Sequence, residues 1–181
     1  MARGDYSITS GVLGGYEQLA YNGNPGGQRN GATAVATMGG SSTSYASITD
    51  GSSNTTFFGE RTGSTTMYTK QSPMPAAYQA LGPTNGIGWA DILIGENWTA
   101  GSNSDGTQST VTVNGSSGNG GPCAINCTNL RSVGFHSFHV GGCHFLMCDG
   151  AVRFVGENVS PVNLAGSITA AKGETASIVD N

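Results

Sequence analysis

Hydrophobic positions in this chain come in short bursts separated by glycine, serine, threonine and asparagine. The best organised burst lies toward the C-terminal end. Bulky residues run from Cys143 to Cys148, meet Asp149-Gly150, and resume from Ala151 to Val155. Two strand-like runs divided by Asp-Gly are the strongest short-range signal for a β-hairpin, because a type I′ turn needs φ > 0 at both central positions. A two-residue turn at Asp149-Gly150 pairs Cys148 with Ala151, Met147 with Val152, Leu146 with Arg153 and Phe145 with Phe154. That register predicts a buried face of Cys143, Phe145, Met147, Val152 and Phe154. His144, Leu146, Cys148, Arg153 and Val155 fall on a second, mixed face.

The same reading predicts strands over 5–8, 55–61, 65–69, 109–113 and 134–138, besides the two arms of the hairpin. Helical segments are expected within 11–19, within 74–81, and after Pro161, where Ser160 suits an N-cap and Pro161 the first helical position. Residues 22–33 and 101–121 are rich in Gly, Asn and Ser and read as surface loops. Nothing repeats and no linker divides the chain, so a single globular domain over 1–181 is expected. Strands this short and turn-bounded favour antiparallel pairing. The fold class expected is mainly β: antiparallel sheets with long Gly/Ser-rich loops and one or two short helices.

Composition sharpens that picture. The chain has 30 glycines and only 10% charged residues, where about 25% is usual for a globular domain. Its 36% hydrophobic fraction is too high for a disordered chain. Ordering so much glycine costs conformational entropy, and contact with neighbouring copies would offset part of that cost. The net charge is −4, and there is no basic patch, which removes the main electrostatic term for nucleic acid. No apolar stretch approaches the length of a membrane span, and the first residues do not read as a signal peptide.

Candidate chemistry is sparse. His139 and Asp149 form an acid–base dyad only if the chain folds back sharply at Gly141-Gly142, since the intervening strand otherwise holds them at opposite ends of the hairpin. The reading preferred is structural, with Asp149 serving the turn and His139 a strand end. No Ser or Cys occupies a nucleophile-elbow pattern, so no enzyme is expected. His136, His139 and His144 are near in sequence and offer a transition-metal alternative. Asn103 and Asp105, and likewise Asp50 and Asn54, have the oxygen-ligand character of a structural calcium site without completing an EF-hand loop. Such clusters are more often Asx-turns. Trp89 and Trp98 could stack on sugar rings, and the same residues suit a core or an interface. Cys123 and Cys127 lack the second pair a zinc knuckle needs. Cys143 and Cys148 point to opposite faces and read as free, buried thiols.

Several segments carry a family resemblance. Ser137-Phe138-His139 with Gly141-Gly142, then Asp149-Gly150 and Val152-Arg153-Phe154, then Glu157-Asn158, resembles the prepilin-type processing-associated family. That family is defined by a His-x9-Asp-Gly box. Ile48-Thr49-Asp50-Gly51-Ser52-Ser53-Asn54-Thr55 with Gly59-Glu60-Arg61 resembles its central box, 121–129 its segment before the histidine, and Asp5-Tyr6 its Asp-Tyr box. The match covers about residues 3–175, the globular part only, without the N-terminal prepilin helix. The resemblance implies a pseudopilin-like domain with a Cys123–Cys127 disulfide. It marks His139, Asp149, Gly150, Asp50, Asn54 and Glu60 as structural motif residues. The function it implies is a structural subunit of an extracellular filament, pilus-like fibre or surface coat. Such a subunit self-assembles as a homo-oligomer outside the cell or at its surface. A secreted module for polysaccharide or another solute is the alternative.

Overall fold

The computed structural model describes residues 4–23, 29–33, 44–63, 65–86, 88, 91, 97–174 and 178. In chain order they form β1 (Tyr6–Ile8), β2 (Gly11–Val12), α1 (Gly14–Ala20), β3 (Thr56–Glu60), β4 (Tyr68–Thr69), β5 (Ser72–Pro73), α2 (Ala76–Gln79), β6 (Trp98–Thr99), β7 (Ser109–Val113), β8 (Ser116–Gly120), β9 (Gly142–Met147), β10 (Val152–Gly156) and α3 (Pro161–Ile168). The fold is mainly β, as expected, and its principal sheet is antiparallel with strand order β1-β3-β9-β10. The small β2–β6 pair is parallel. No described helix is long and apolar enough to cross a membrane.

One face of the principal sheet carries the core. Cys143, Phe145, Met147 and Val155 point inward and are buried with Leu164, Ala165 and Ile168 of α3, Tyr16 of α1, and Phe135 and Ile125 from the preceding loop. The Phe135 and Phe145 rings meet edge to face, 4.7 Å between centroids. Gly59 of β3 makes room for them, because a Cβ there would lie 2.5 Å from Phe135 Cδ1 and 2.7 Å from Phe145 Cε1. α3 starts as the sequence predicts, with Pro161 in its first turn and Ser160 Oγ accepting the Asn163 N–H at 3.3 Å. Cys123 and Cys127 form the expected disulfide, and Cys143 and Cys148 are free and buried. Burial, reinforced by the Asp149 charge, pushes the Cys148 thiol up to about 11, and burial raises Cys143 as well.

The hairpin differs from its prediction by one residue. Gly150 N–H donates to Met147 O at 3.0 Å and Met147 N–H donates to Ala151 O at 2.8 Å, which makes a three-residue loop of Cys148, Asp149 and Gly150. Only Gly150 takes positive φ, +91°, while Asp149 Oδ1 accepts the Ala151 N–H. This is a type I turn closed by a left-handed glycine rather than the I′ form. Val152 therefore pairs with Leu146, Arg153 with Phe145 and Phe154 with His144. The slip flips every side chain of β10. Val155 enters the core, while Val152 is 65% exposed and Phe154 half-buried on the outer face.

Two further differences concern small residues. β8, Ser116–Gly120, lies in a stretch predicted as loop, and it pairs with β7 through a two-residue turn at Asn114-Gly115 where both φ angles are positive. That Asn-Gly is an I′ turn. The strand predicted over 134–138 is reduced to single bridges of Phe135 with Ile125 and His136 with Arg61.

The corrected register has a measurable consequence. Phe145→Ala should lower the unfolding free energy by about 3–5 kcal/mol. Phe154→Ala should cost well under half of that, roughly 1–2 kcal/mol for a ring only partly removed from water. Urea denaturation of the two variants compares them directly, and equal losses would restore the two-residue turn.

Candidate functional site

The outer face of the sheet is where polar chemistry gathers. Because Gly59 faces the core opposite Phe145, the next residue of β3, Glu60, and the preceding residue of β9, His144, face outward together. The carboxylate of Glu60 is only 7% exposed. Its Oε2 accepts the His144 backbone N–H at 2.7 Å and lies 3.3 Å from His144 Nδ1. Its Oε1 lies 3.2 Å from Nε2 of His139, whose side chain is 57% exposed. The His139 and His144 rings meet at 4.9 Å between centroids, nearly perpendicular. A cleft of about 560 Å³ opens over the cluster, lined also by Tyr6, Leu146 and Val152.

His139 reaches this position through a tightly cinched loop. Gly141 takes φ +85° and turns the chain back at the start of β9. Ser137 Oγ donates to Gly142 O at 2.7 Å and accepts the His139 N–H at 3.1 Å. Asn126, inside the Cys123–Cys127 loop, donates from Nδ2 to Gly142 O at 3.3 Å and accepts the Ser137 N–H on Oδ1 at 2.8 Å. The chain does turn back at Gly141, and the turn delivers His139 to Glu60 and His144 rather than to Asp149, so the dyad weighed in the sequence does not form. Asp149 sits in the turn at the other end of β9, where its N–H donates to Ser52 O at 3.1 Å.

The remaining candidates have separate duties. Asp50 is buried, and its two carboxylate oxygens accept the backbone N–H groups of Gly173 and Lys172 at 2.7 and 2.8 Å, tying the C-terminal segment down. Asn54 Nδ2 donates to Asp50 O, closing the turn in which Gly51 adopts φ +95°. Asp105 is fully exposed and its Oδ1 accepts from both Thr107 N–H and Thr107 Oγ, contacts that hold its carboxyl below the usual range. Together with the Asn103–Thr107 bonds this is an Asx-turn satisfied within itself. Trp98 is half-buried, its ring against Gly11, where a Cβ would lie 2.5 Å from Cζ3. Trp89 lies outside the described residues.

His136, grouped with the other two histidines in the sequence reading, is set apart by the fold. It is fully buried; Nε2 lies 2.6 Å from Lys70 O and Nδ1 3.0 Å from the Thr62 hydroxyl. A carbonyl only accepts, so Nε2 carries a proton, and burial disfavours adding a second one on Nδ1. Arg61 is buried beside it, donating from one Nη to the carbonyls of Asn85 and Gly86 at 2.7 and 2.6 Å. Burial first, then Arg131, draws its guanidinium down to about 9. What the sequence concealed was the grouping of Glu60 with two of the three histidines, since that depends on pairing β3 with a strand 84 residues away.

The profile of a family described as "Protein of unknown function (DUF1559)" matches residues 2–161. No curated protein and no solved structure matches the chain.

Burial pulls the His136 imidazole below its ordinary value of 6.5. As pH falls the unfolded chain takes up this proton first, so the contribution of neutral His136 is complete above 6.5 and is lost below it. Thermal melts of the wild type should therefore fall in midpoint between neutral and mildly acidic pH. The same profile for His136→Gln should be flatter over that interval, and an unchanged slope would show that His136 is not the responsible group.

Proposed function

Because the chain belongs to the DUF1559 family, which is associated with pilin- and pseudopilin-like proteins, we propose that it is a structural subunit of an extracellular filament, pilus-like fibre or surface coat and acts by self-assembly. The observation that carries this reading is the outer face and free edge of the principal sheet. Tyr6, Leu146 and Val152 line one cleft there, with Tyr6 55% and Val152 65% exposed. Exposed apolar side chains grouped beside a sheet edge are the kind of surface that a second copy would cover. β10, five residues long, is the longer of the sheet's two edge strands among the described residues, β1 being the other. An edge of that kind presents unpaired N–H and C=O groups, a template on which a second copy can add a strand.

Charge and redox chemistry support the same reading. A chain with 10% charged residues and a net charge of −4 puts little repulsion between copies. A closed Cys123–Cys127 disulfide suits an oxidising location outside the cell.

Val152→Asp tests the reading without threatening the fold, since an exposed substitution of this kind shifts stability by only about 0.5 kcal/mol. Light scattering after size exclusion and negative-stain microscopy should show ordered assemblies from the wild type and dispersed subunits from the variant, with closely similar melting temperatures. A wild type that stays monomeric at high concentration, or a variant that assembles as well as the wild type, would sink the proposal.

A further inference from the structure

We propose that Glu60, His139 and His144 form a binding site for one divalent transition cation of the zinc class. The donor set is the first argument. Two imidazole nitrogens and one carboxylate are the ligands of zinc and its neighbours, whereas calcium and magnesium take oxygen ligands. The spacing is the second. Glu60 Oε1 and His139 Nε2 are 3.2 Å apart, Glu60 Oε2 and His144 Nδ1 are 3.3 Å apart, and the ligand atoms of the three residues all lie within 4.8 Å of one another. A tetrahedral ion with ligands at about 2.0–2.1 Å separates neighbouring donors by about 3.3–3.4 Å. The two short distances run to the two oxygens of one carboxylate, and the 57% exposed His139 side chain has room to turn toward an ion shared by all three residues.

The supporting shell is the third argument. Glu60 and His144 stand on adjacent strands, and the His144 N–H fixes the carboxylate at 2.7 Å. The His139 loop is held by Ser137 and by Asn126. Pre-set ligands of this kind lower the cost of collecting them around an ion. Phe154 packs edge-on against His144 at 5.0 Å between ring centroids. Tyr6, Leu146 and Val152 give the cleft an apolar wall, which strengthens charge interactions inside it. Three protein donors leave a fourth position that faces this cleft, open to water or to a small donor ligand. His136 takes no part, because both of its ring nitrogens are engaged elsewhere.

The untagged chain, stripped with a chelator, is titrated with Zn2+ by calorimetry and with Co2+ by visible absorption at neutral pH. One ion per chain is expected, with a ligand-field spectrum of nitrogen–oxygen coordination and a higher thermal midpoint in Zn2+. His139→Ala, His144→Ala and Glu60→Gln should each weaken Zn2+ binding by about tenfold or more, and His136→Gln should leave it unchanged. The His139 ring is 57% exposed, so its removal leaves a folded chain to measure, which circular dichroism verifies. Absence of binding by the wild type would overturn the proposal, as would a His139→Ala/His144→Ala double variant that binds Zn2+ as tightly. Light scattering of the chelator-stripped wild type reads assembly with no ion present, so failure of zinc binding and failure of assembly are told apart.

Discussion

The contact between Phe135 and Phe145 across the bare backbone of Gly59 organises the rest of the molecule. Two phenyl rings can share the space over β3 only where that strand presents no side chain, so the pairing register of β3 against β9 follows from their packing. With Gly59 and Phe145 turned inward, pleating sends Glu60 and His144 outward to the same spot. The core and the polar cluster are thus two faces of one constraint. A shift of register that relieved the aromatic crowding would also scatter the carboxylate and the imidazoles.

Much of the architecture was legible. The runs at 109–113, 143–148 and 151–155 are strands within a residue or two, and the Ser160-Pro161 signal marks α3. Hairpin chemistry was read in the right place with the wrong loop length. Asp-Gly serves both a two-residue I′ turn and a three-residue turn ended by a left-handed glycine, and only the packing of Val155 rather than Phe154 against α3 and its neighbours separates them. β8 was invisible because Ser116-Ser-Gly-Asn-Gly carries no hydrophobic alternation; its pairing is set by the Asn114-Gly115 turn and by close approach of Gly118 to Gly14 of α1. The site residues were named individually from the sequence. Their grouping was not legible, because long-range strand pairing and a glycine fold-back bring them together.

Asparagine does the work that charged residues perform in more ordinary domains. Asn129 accepts the Tyr68 N–H at 2.8 Å and donates to the carbonyls of Thr62 and Thr66 at 3.0 and 2.7 Å. Asn85 links to Asn129 O and accepts from Arg131 N–H, and Asn126 holds the His139 loop. An amide both donates and accepts, so one side chain satisfies several backbone groups that irregular chain would otherwise leave unpaired. It does so without the desolvation penalty of a buried charge. Long loops of low charge are thereby held in place with little regular secondary structure.

The two unpaired cysteines have a bearing on how such a chain matures. Thiol–disulfide exchange proceeds through the thiolate. With the Cys148 thiol raised to about 11 and Cys143 also raised by burial, roughly one Cys148 in ten thousand is ionised at neutral pH. Once β9 has folded, neither sulfur is a competent attacker of the Cys123–Cys127 bond. Folding order therefore becomes a guard against scrambled isomers, because closing the sheet withdraws both free thiols from exchange.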